Sequence, residues 1–352
     1  MTDPAPEAPK RRPRYPGKNP RAFQEKYKEH RPDAYAAAVA KVIAGGKTPA
    51  GTHRPIMVRE ILSVLAPKPG DVAVDCTLGY GGHARELLAA VQPGGKLLGI
   101  DADPIELPRT EARLRELGYP PESIVLRRMN FAGLSRLIAE EAPEGADVLL
   151  ADLGLSSMQI DDPTRGFTFK ADGPLDMRMN PAKGIPACEY LSTLSESGLS
   201  EILSENADEP LADALAAAVI RSHSVLPLTT TRTLADVVRN VFKQSRRRTE
   251  STAEDTVRRV FQAIRIAIND EFGSLDSLLR ALPKSLKPGG RVAVLTFHSG
   301  EDRRVKAAFK EGLEVGIYAT VAKEVIRATF EERRSNPRST SAKLRYAVRS
   351  RS

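Results

Sequence analysis

The sequence has very little cysteine, and it has no apolar run long enough to cross a membrane. Its two cysteines, Cys76 and Cys188, form no CxxC pair and no cluster with histidine, which excludes a disulfide framework and a thiolate zinc site. A membrane span needs roughly 18 consecutive apolar residues, and the proline-rich first residues lack the apolar core of a signal peptide. We therefore expect a soluble, cytoplasmic protein without a metal site.

The positive charge is concentrated at the two ends of the chain. The whole sequence of 352 residues carries a net charge of +8. Residues 1–50 hold 11 basic and 5 acidic side chains, residues 331–352 hold 7 and 2, and the long stretch between them is slightly acidic. Basic ends are typical of proteins with a polyanionic partner such as nucleic acid, although solvation alone also explains such charges.

The order of local patterns predicts an α/β protein. Residues 1–50 form a basic, proline-rich extension that we expect to be partly disordered or helical. From residue 51, short apolar runs alternate with helical patterns in four successive strand–helix units, the fourth strand being DVLLADL (147–153). This alternation predicts a parallel sheet with helices on both faces, whose ligands bind at the carboxyl ends of the strands.

The alternation is interrupted after the fourth strand. Residues 158–250 are mostly helical and polar, a long helix is predicted over 258–282, and a fifth strand, RVAVLTF, follows at 291–297. We expect residues 51–157 and 251–352 to form one sheet domain, and residues 158–250 to be a helical substrate-recognition domain inserted into it. Further strands are predicted at 318–328 and 344–348.

A glycine loop follows the first predicted strand, in the sequence DCTLGYGGHA (75–84). Gly79, Gly81 and Ala84 match the GxGxxA pattern, and Asp101 closes the second strand, where a carboxylate accepts hydrogen bonds from ribose hydroxyls. Loop and acid together predict an adenosine-type ligand, either NAD or S-adenosylmethionine. The alternative is a tight turn with a capping aspartate. His83 is equally suited to contact the cofactor or to cap the next helix.

Several longer motifs, in this order along residues 53–350, resemble the RsmH/MraW family. They are HRPI (53–56), DCTLGYGGH (75–83), IDADP (100–104), DLGLSSMQIDDPTRGFTF (152–169), GPLDMRMN (173–180), FQAIRIAIND (261–270), TFHSGEDR (296–303) and NPRSTSAKLR (336–345). Residues 1–50 lie outside this resemblance. The family consists of bacterial methyltransferases that use S-adenosylmethionine to modify a cytosine N4 amine in the decoding (P-site) region of 16S ribosomal RNA.

The resemblance implies a class I (Rossmann-like) methyltransferase sheet with an inserted helical domain after strand 4. It also implies S-adenosylmethionine as cofactor, and small-subunit ribosomal RNA or the assembled 30S subunit as partner. A homodimer is an open alternative to a monomer. By the same resemblance, the cofactor contacts fall on Gly81, Gly82, His83, Asp101, Phe131, Asp152 and Gln159.

The chemistry requires groups that accept the hydrogens of the target amine. The lone pair of an exocyclic cytosine amine is conjugated with the ring, so the enzyme must orient the amine in line with the methyl group and free that lone pair. Asp152, at the end of the fourth strand, is the predicted acceptor, with Ser156 and His298 as further catalytic candidates. A structural role is the alternative for His298.

For RNA, an aromatic residue for base stacking and arginines for the backbone are predicted. The stacking candidate is Phe167, with anchoring of the insert as the alternative; the basic candidates are Arg246, Arg247, Arg248, Arg258, Arg259, Arg338, Lys343 and Arg345.

An NAD-dependent oxidoreductase and a non-catalytic ribosome-assembly factor are the alternative functions. The motifs after the fourth and fifth strands disfavour the first, and the acids Asp75, Asp101 and Asp152 disfavour the second.

Overall fold

The computed structural model describes residues 55–245 and 251–351. The expectations for residues 1–50 and for Arg246, Arg247 and Arg248 lie outside this part of the chain. In chain order the elements are α1 (Val58–Leu65), β1 (Val72–Asp75), α2 (Gly82–Val91), β2 (Lys96–Asp101), α3 (Glu106–Arg115), β3 (Ile124–Arg128), α4 (Leu134–Glu141), β4 (Ala146–Asp152), α5 (Ser157–Asp161), α6 (Ala187–Ser192), α7 (Glu196–Ala207), α8 (Ala212–Val225), α9 (Thr231–Gln244), α10 (Ala253–Asn269), α11 (Glu271–Ser285), β5 (Leu286–Thr296), α12 (Ser299–Glu314), β6 (Tyr318–Val321), α13 (Phe330–Ser335) and β7 (Lys343–Arg349).

Seven strands form one sheet in the order β3-β2-β1-β4-β5-β7-β6. Strands β1 to β5 are parallel, whereas β7 pairs antiparallel with both β5 and β6. The chain leaves β1 toward β2 on one side, and β4 lies on the other side, so the strand order reverses between β1 and β4. A crevice opens at such a reversal, outside the carboxyl ends of the strands. The predicted α/β fold with its parallel strands is confirmed.

Helices cover both faces of the sheet, which explains why the strands are almost continuously apolar. Neighbouring residues of β1 point to opposite faces, and Ala73 and Val74 are both fully buried. Helices α1, α2 and α3 pack on the first face, and α4, α11 and α12 pack on the second. No helix in the described ranges is both long and apolar enough to span a bilayer.

The helices between β4 and β5 have a hydrophobic core of their own. Leu199, Leu215 and Leu234, from three different helices, are fully buried in it. This core extends beyond the expected boundary at residue 250, because the apolar face of α10, including Val260, packs into it. The inserted helices after strand 4 agree with the expected fold class.

Two local expectations about secondary structure were wrong. The helix expected over 258–282 is two helices, because Asp270 adopts a left-handed backbone conformation (φ 47°) between α10 and α11. The strand expected at 318–328 ends at Val321, and beyond it a single bridge joins Ile326 to Leu344. In both cases the apolar pattern continues across a point where the backbone changes direction.

Candidate active site at the carboxyl ends of the strands

Hydrogen bonds of Thr77 connect the loop after β1 to the end of the neighbouring strand β4. The Thr77 amide donates to Asp75 Oδ1 (3.0 Å), and the Thr77 hydroxyl accepts a hydrogen bond from the Asp152 amide (2.7 Å). Asp75 is almost completely buried, and this burial raises the pKa of its carboxyl to about 6, against the opposing effects of His83 and the Thr77 amide. The loop thereby links the ends of β1 and β4.

Asp101, at the end of β2, is oriented by two backbone hydrogen bonds. Its Oδ2 accepts from the Gly79 amide (2.7 Å) and its Oδ1 from the Asp103 amide (2.8 Å). Burial is the largest effect on the pKa of Asp101 and raises it, while these two bonds oppose the rise. Each carboxylate oxygen has more than one acceptor site, so the group can still receive ribose hydroxyls.

The glycine loop leaves room for a ligand at Gly79, whereas Gly81 and Gly82 lie close against Thr110 and Pro55. Gly79 has a positive φ of 47°, and a Cβ built on it would meet nothing nearer than 3.8 Å. Gly81 (φ 84°) precedes the first turn of α2, where the backbone N–H groups have no partner within the helix. An open backbone, free amides and the Asp101 carboxylate fit the adenosine and amino-acid parts of S-adenosylmethionine. Gly81, Gly82, His83 and Asp101 would hold that cofactor.

The side chain of His83 links two distant parts of the chain. The residue is 7% exposed; its Nε2 lies 2.8 Å from the Ile56 carbonyl oxygen and its Nδ1 lies 3.3 Å from Asp152 Oδ2. Both partners are acceptors, so the doubly protonated ring satisfies both. Burial alone would lower the pKa of His83, but the hydrogen bond and charge of Asp152, with the Ile56 carbonyl, raise it to about 9. The main chain of His83 is left for the cofactor.

Asp103 is a buried residue that joins Gln159 and Arg165, and it was not identified as a site residue from the sequence. It is 2% exposed, and its Oδ2 accepts from Gln159 Nε2 (2.8 Å) and Arg165 Nη1 (2.9 Å). The second terminal nitrogen of Arg165 donates to the Met179 carbonyl (2.8 Å). Although burial opposes the change, these hydrogen bonds lower the pKa of Asp103. The only signal was its position two residues after Asp101 in IDADP.

The remaining cofactor candidates lie at the same edge of the sheet. Gln159 lies in α5, just after β4, and its side chain already binds Asp103. Phe131 begins a short 3-10 helix that follows β3, and its half-buried ring packs against the core of the second face. An adenine contact for Phe131 stays a prediction.

The two further catalytic candidates make local contacts. The Ser156 hydroxyl accepts from the Gln159 amide (3.2 Å), and the Ser156 amide donates to Gln159 Oε1 (3.1 Å), so this pair caps α5. His298 precedes α12; its Nε2 lies 3.1 Å from Glu301 Oε1 and its ring centroid lies 5.8 Å from that of Phe272. Catalytic roles for Ser156 and His298 stay predictions.

Near His298, one group of side chains has the composition of a metal site. Possible ligand atoms of Glu271, His298 and Glu301 lie within 4.8 Å of one another. Arg265, however, binds both oxygens of Glu271 (2.7 and 2.8 Å), and Glu301 accepts a hydrogen bond from the Phe297 amide (2.8 Å). A guanidinium therefore supplies the positive charge here, and the group is an ion-pair network.

Three predicted RNA contacts are largely buried or already paired within the protein. Phe167 is 8% exposed and lies in the core of the inserted helices, which favours the anchoring alternative, while base stacking stays a prediction. Arg345 is 7% exposed and pairs with Asp302 (2.7 Å), which also binds Lys343 (3.2 Å). These ion pairs disfavour phosphate contacts by Arg345 and Lys343, which stay predictions.

The other described cations are paired but more accessible. Arg338 is 40% exposed and pairs with Asp161 in α5 (2.7 Å). Arg258 is exposed and pairs with Asp255, whereas Arg259 binds the buried Glu209 (2.6 Å) and stabilises the inserted helices. Of these, Arg338 lies nearest to the ligand edge, because its partner follows β4.

Curated relatives match almost the whole chain. It is 47% identical to ribosomal RNA small subunit methyltransferase H 1 of Lachnoclostridium phytofermentans, over 97% of this chain and 93% of that protein. It is 48% identical to ribosomal RNA small subunit methyltransferase H 2 of Alkaliphilus metalliredigens, over 96% and 97%. Alignments of this length include part of residues 1–50.

A solved structure and a family model complete the comparison. The chain resembles a SAM-dependent O-methyltransferase of Thermotoga maritima with a TM-score of 0.39 and 10% identity, over 89% of this chain and 71% of that one, too low a similarity to bear on activity. The model of the MraW methylase family matches residues 50–350. The chain therefore belongs to the MraW methylase family, an S-adenosylmethionine-dependent methyltransferase family, as its motifs predicted.

Proposed function

We propose that this protein transfers a methyl group from S-adenosylmethionine to the N4 amine of a cytosine in the decoding (P-site) region of 16S ribosomal RNA. The names of the two most similar relatives described above support small-subunit ribosomal RNA as the substrate. The observation that carries the chemical proposal is the carboxylate of Asp152, which lies beside the ligand loop with one oxygen held by His83.

Asp152 is suited to receive the target amine. Its side chain is 18% exposed, and Oδ2 faces His83 while Oδ1 accepts no hydrogen bond from any described residue. The hydrogen bond to His83 fixes the orientation of the carboxylate and leaves Oδ1 as an acceptor for the amine. An amine hydrogen bound to Oδ1 would reduce the conjugation of the nitrogen lone pair with the ring.

The remaining steps follow from position. S-adenosylmethionine supplies an electrophilic methyl group when bound. The backbone amides at the start of α2 and the Asp101 carboxylate orient that donor, while Asp152 orients the acceptor amine, so transfer is direct and needs no covalent enzyme intermediate. Ser156 and His298 are proposed to border the base and to assist its orientation.

The substrate-recognition surface is proposed to include the inserted helices and the basic residues around them. Arg246, Arg247 and Arg248 join α9 to α10 in sequence, and Arg338 contacts α5. Charge reversal at these four positions should weaken RNA binding and reduce its salt dependence. A homodimer is proposed as the oligomeric state, and light scattering of the full chain tests it.

The decisive experiment compares Asp152→Ala with the wild-type protein in a tritiated-methyl assay, with mapping of methylated cytosines on 16S ribosomal RNA. We expect loss of transfer in the variant. Because Asp152 is also a predicted cofactor contact, calorimetry measures separately how much S-adenosylmethionine affinity the variant retains. Unchanged turnover in the variant would remove Asp152 from the mechanism. Binding of RNA without any transfer by the wild-type protein would favour the non-catalytic assembly factor instead.

A further inference from the structure

The helix α13 presents an aromatic side chain to solvent beside three exposed arginines. Phe330 is 73% exposed and is the one exposed phenylalanine in the described ranges. Arg327, Arg333 and Arg334 are exposed, and their guanidinium groups make no ion pair or hydrogen bond with any residue that the structure describes. We call these four residues the α13 surface.

The backbone under this surface is firmly held. Ala328 and Ser339, on either side of α13, are buried, and the Thr329 hydroxyl caps the helix by accepting from the Glu332 amide (3.2 Å). Ile326 exchanges two backbone hydrogen bonds with Leu344 of β7 (3.0 and 2.9 Å). Phe330 therefore lies on a well-held segment of backbone, and most of its ring is exposed to solvent without packing against the protein.

A short series of contacts joins the α13 surface to Asp152. Glu332 Oε1 accepts a hydrogen bond from the Met57 amide (2.8 Å), and the carbonyl of the adjoining Ile56 binds His83, which contacts Asp152. On the other side of α13, Arg338 pairs with Asp161 in the segment that follows β4 (2.7 Å). The helix that carries this surface is therefore connected to the proposed acceptor carboxylate through Met57, Ile56 and His83.

The charge of this region favours a polyanion. Residues 323–345 contain seven Lys and Arg residues and three Glu residues. Arg338, Lys343 and Arg345 are paired with Asp161 and Asp302, so the excess is carried by Lys323 and the three arginines of the α13 surface. Sites for single-stranded nucleic acid usually combine two elements: arginines that contact the phosphate backbone, and an aromatic ring on which a base stacks. A protein interface usually buries a larger apolar area at its centre than the single ring that is exposed here among cations.

We propose that the α13 surface binds the unpaired ribosomal RNA next to the target nucleotide, with one base stacked on Phe330 and phosphates on Arg327, Arg333 and Arg334. This inference rests on the proposed function and identifies a substrate contact outside the acceptor site. Its role is to hold the RNA strand while the target base enters the cleft.

The test measures binding of a fluorescent, protein-free 16S fragment from the decoding region to the full-length chain. Phe330→Ala should raise the Kd by roughly five- to a hundredfold, in keeping with the loss of one stacked base, and Phe330→Tyr should restore it. The matched control is Val315→Ala, which removes an exposed apolar side chain (65% exposed) at the far end of α12, away from the cleft. S-adenosylmethionine affinity should be unchanged in all three variants.

The charge component is tested separately through salt dependence. Reversal of Arg333 and Arg334 to Glu should reduce the slope of log K against log salt by about 1.4, since each contact to a single strand contributes about 0.7. Arg280→Glu on α11 is the control, because this exposed arginine lies on the opposite face of the sheet. Its slope should equal that of the wild type.

Three results would overturn the proposal or separate it from the proposed function. A Kd for Phe330→Ala within twofold of the wild type, with an unchanged salt slope in the arginine variant, refutes the α13 surface. A defect seen with assembled small subunits and absent with protein-free RNA indicates a ribosomal-protein contact and also refutes it. If the wild-type chain transfers no methyl group, the proposed function fails, whereas the RNA-binding comparison still decides the α13 surface.

Discussion

The charge on His83 makes the stability of the protein depend on pH in a defined window. The folded-state pKa of about 9 lies above the ordinary value of 6.5, because Asp152 and the Ile56 carbonyl outweigh the effect of burial. A raised pKa means that the folded state binds more protons than the unfolded chain between these two values. Stability from this group is therefore complete below pH 6.5 and is lost as the pH rises through 9.

The size of the effect follows from the difference between the two pKa values. A difference of about 2.5 units at 1.36 kcal/mol per unit corresponds to about 3 kcal/mol. This is a large fraction of the 5–15 kcal/mol typical of a folded domain, so the decline should be measurable. Burial raises the pKa of Asp75 to about 6, which affects a separate pH window. The protein loses stability from this group as the pH rises from about 4 to 6, because the buried carboxyl must ionise there.

The assay is urea unfolding at pH values from 6 to 9.5, followed by circular dichroism. The free energy of unfolding of the wild type should fall by about 3 kcal/mol across this range, and His83→Gln should remove most of that decline. His223→Gln is the control: His223 is also buried, but burial lowers its pKa, so its effect on stability ends once the pH exceeds the ordinary value of 6.5. A flat wild-type curve, or the same decline in His83→Gln, would refute a charged His83–Asp152 pair.

Three other predictions concern the cofactor loop, the buried Asp103 and the inserted helices. Asp101→Ala should raise the Kd for S-adenosylmethionine at least tenfold by calorimetry, and unchanged affinity would exclude this carboxylate from the site. In a double-mutant cycle of Asp103→Asn and Arg165→Met, the unfolding energies should show a coupling of about 1–3 kcal/mol, whereas strictly additive losses would contradict the ion pair. Leu215→Ala, at a fully buried position, should cost about 2–5 kcal/mol in urea unfolding, and a loss below 1 kcal/mol would show that the core of the inserted helices is loosely packed.

Much of the fold was accessible from local patterns. The fourth strand, predicted over 147–153, is observed over Ala146–Asp152, because an apolar run that begins after a glycine is a local signal. The junction at Asp270 was missed, because a left-handed aspartate between two helices leaves no break in the apolar pattern.

For the candidate site, too, the residues that lie close together in the chain were predicted, and those that are brought together from distant positions were missed. Gly79, Gly81 and Asp101 were identified from spacing alone, since a strand, a tight loop and a helix start are consecutive in the chain. Asp103 and Arg165 were missed as a pair because 62 residues separate them, and no local pattern relates two such positions.

Local patterns and long motifs were enough to predict the order of strands and helices, the glycine loop and the family, because each depends on residues close together in the chain. The use of individual side chains depends on tertiary contacts. The tertiary structure buried Phe167, paired Arg345 with Asp302, directed His83 to Asp152 and left Phe330 exposed. The physical reason is that burial and charge pairing depend on groups brought together from distant parts of the chain, and they determine whether an aromatic ring or a cation remains available to a ligand.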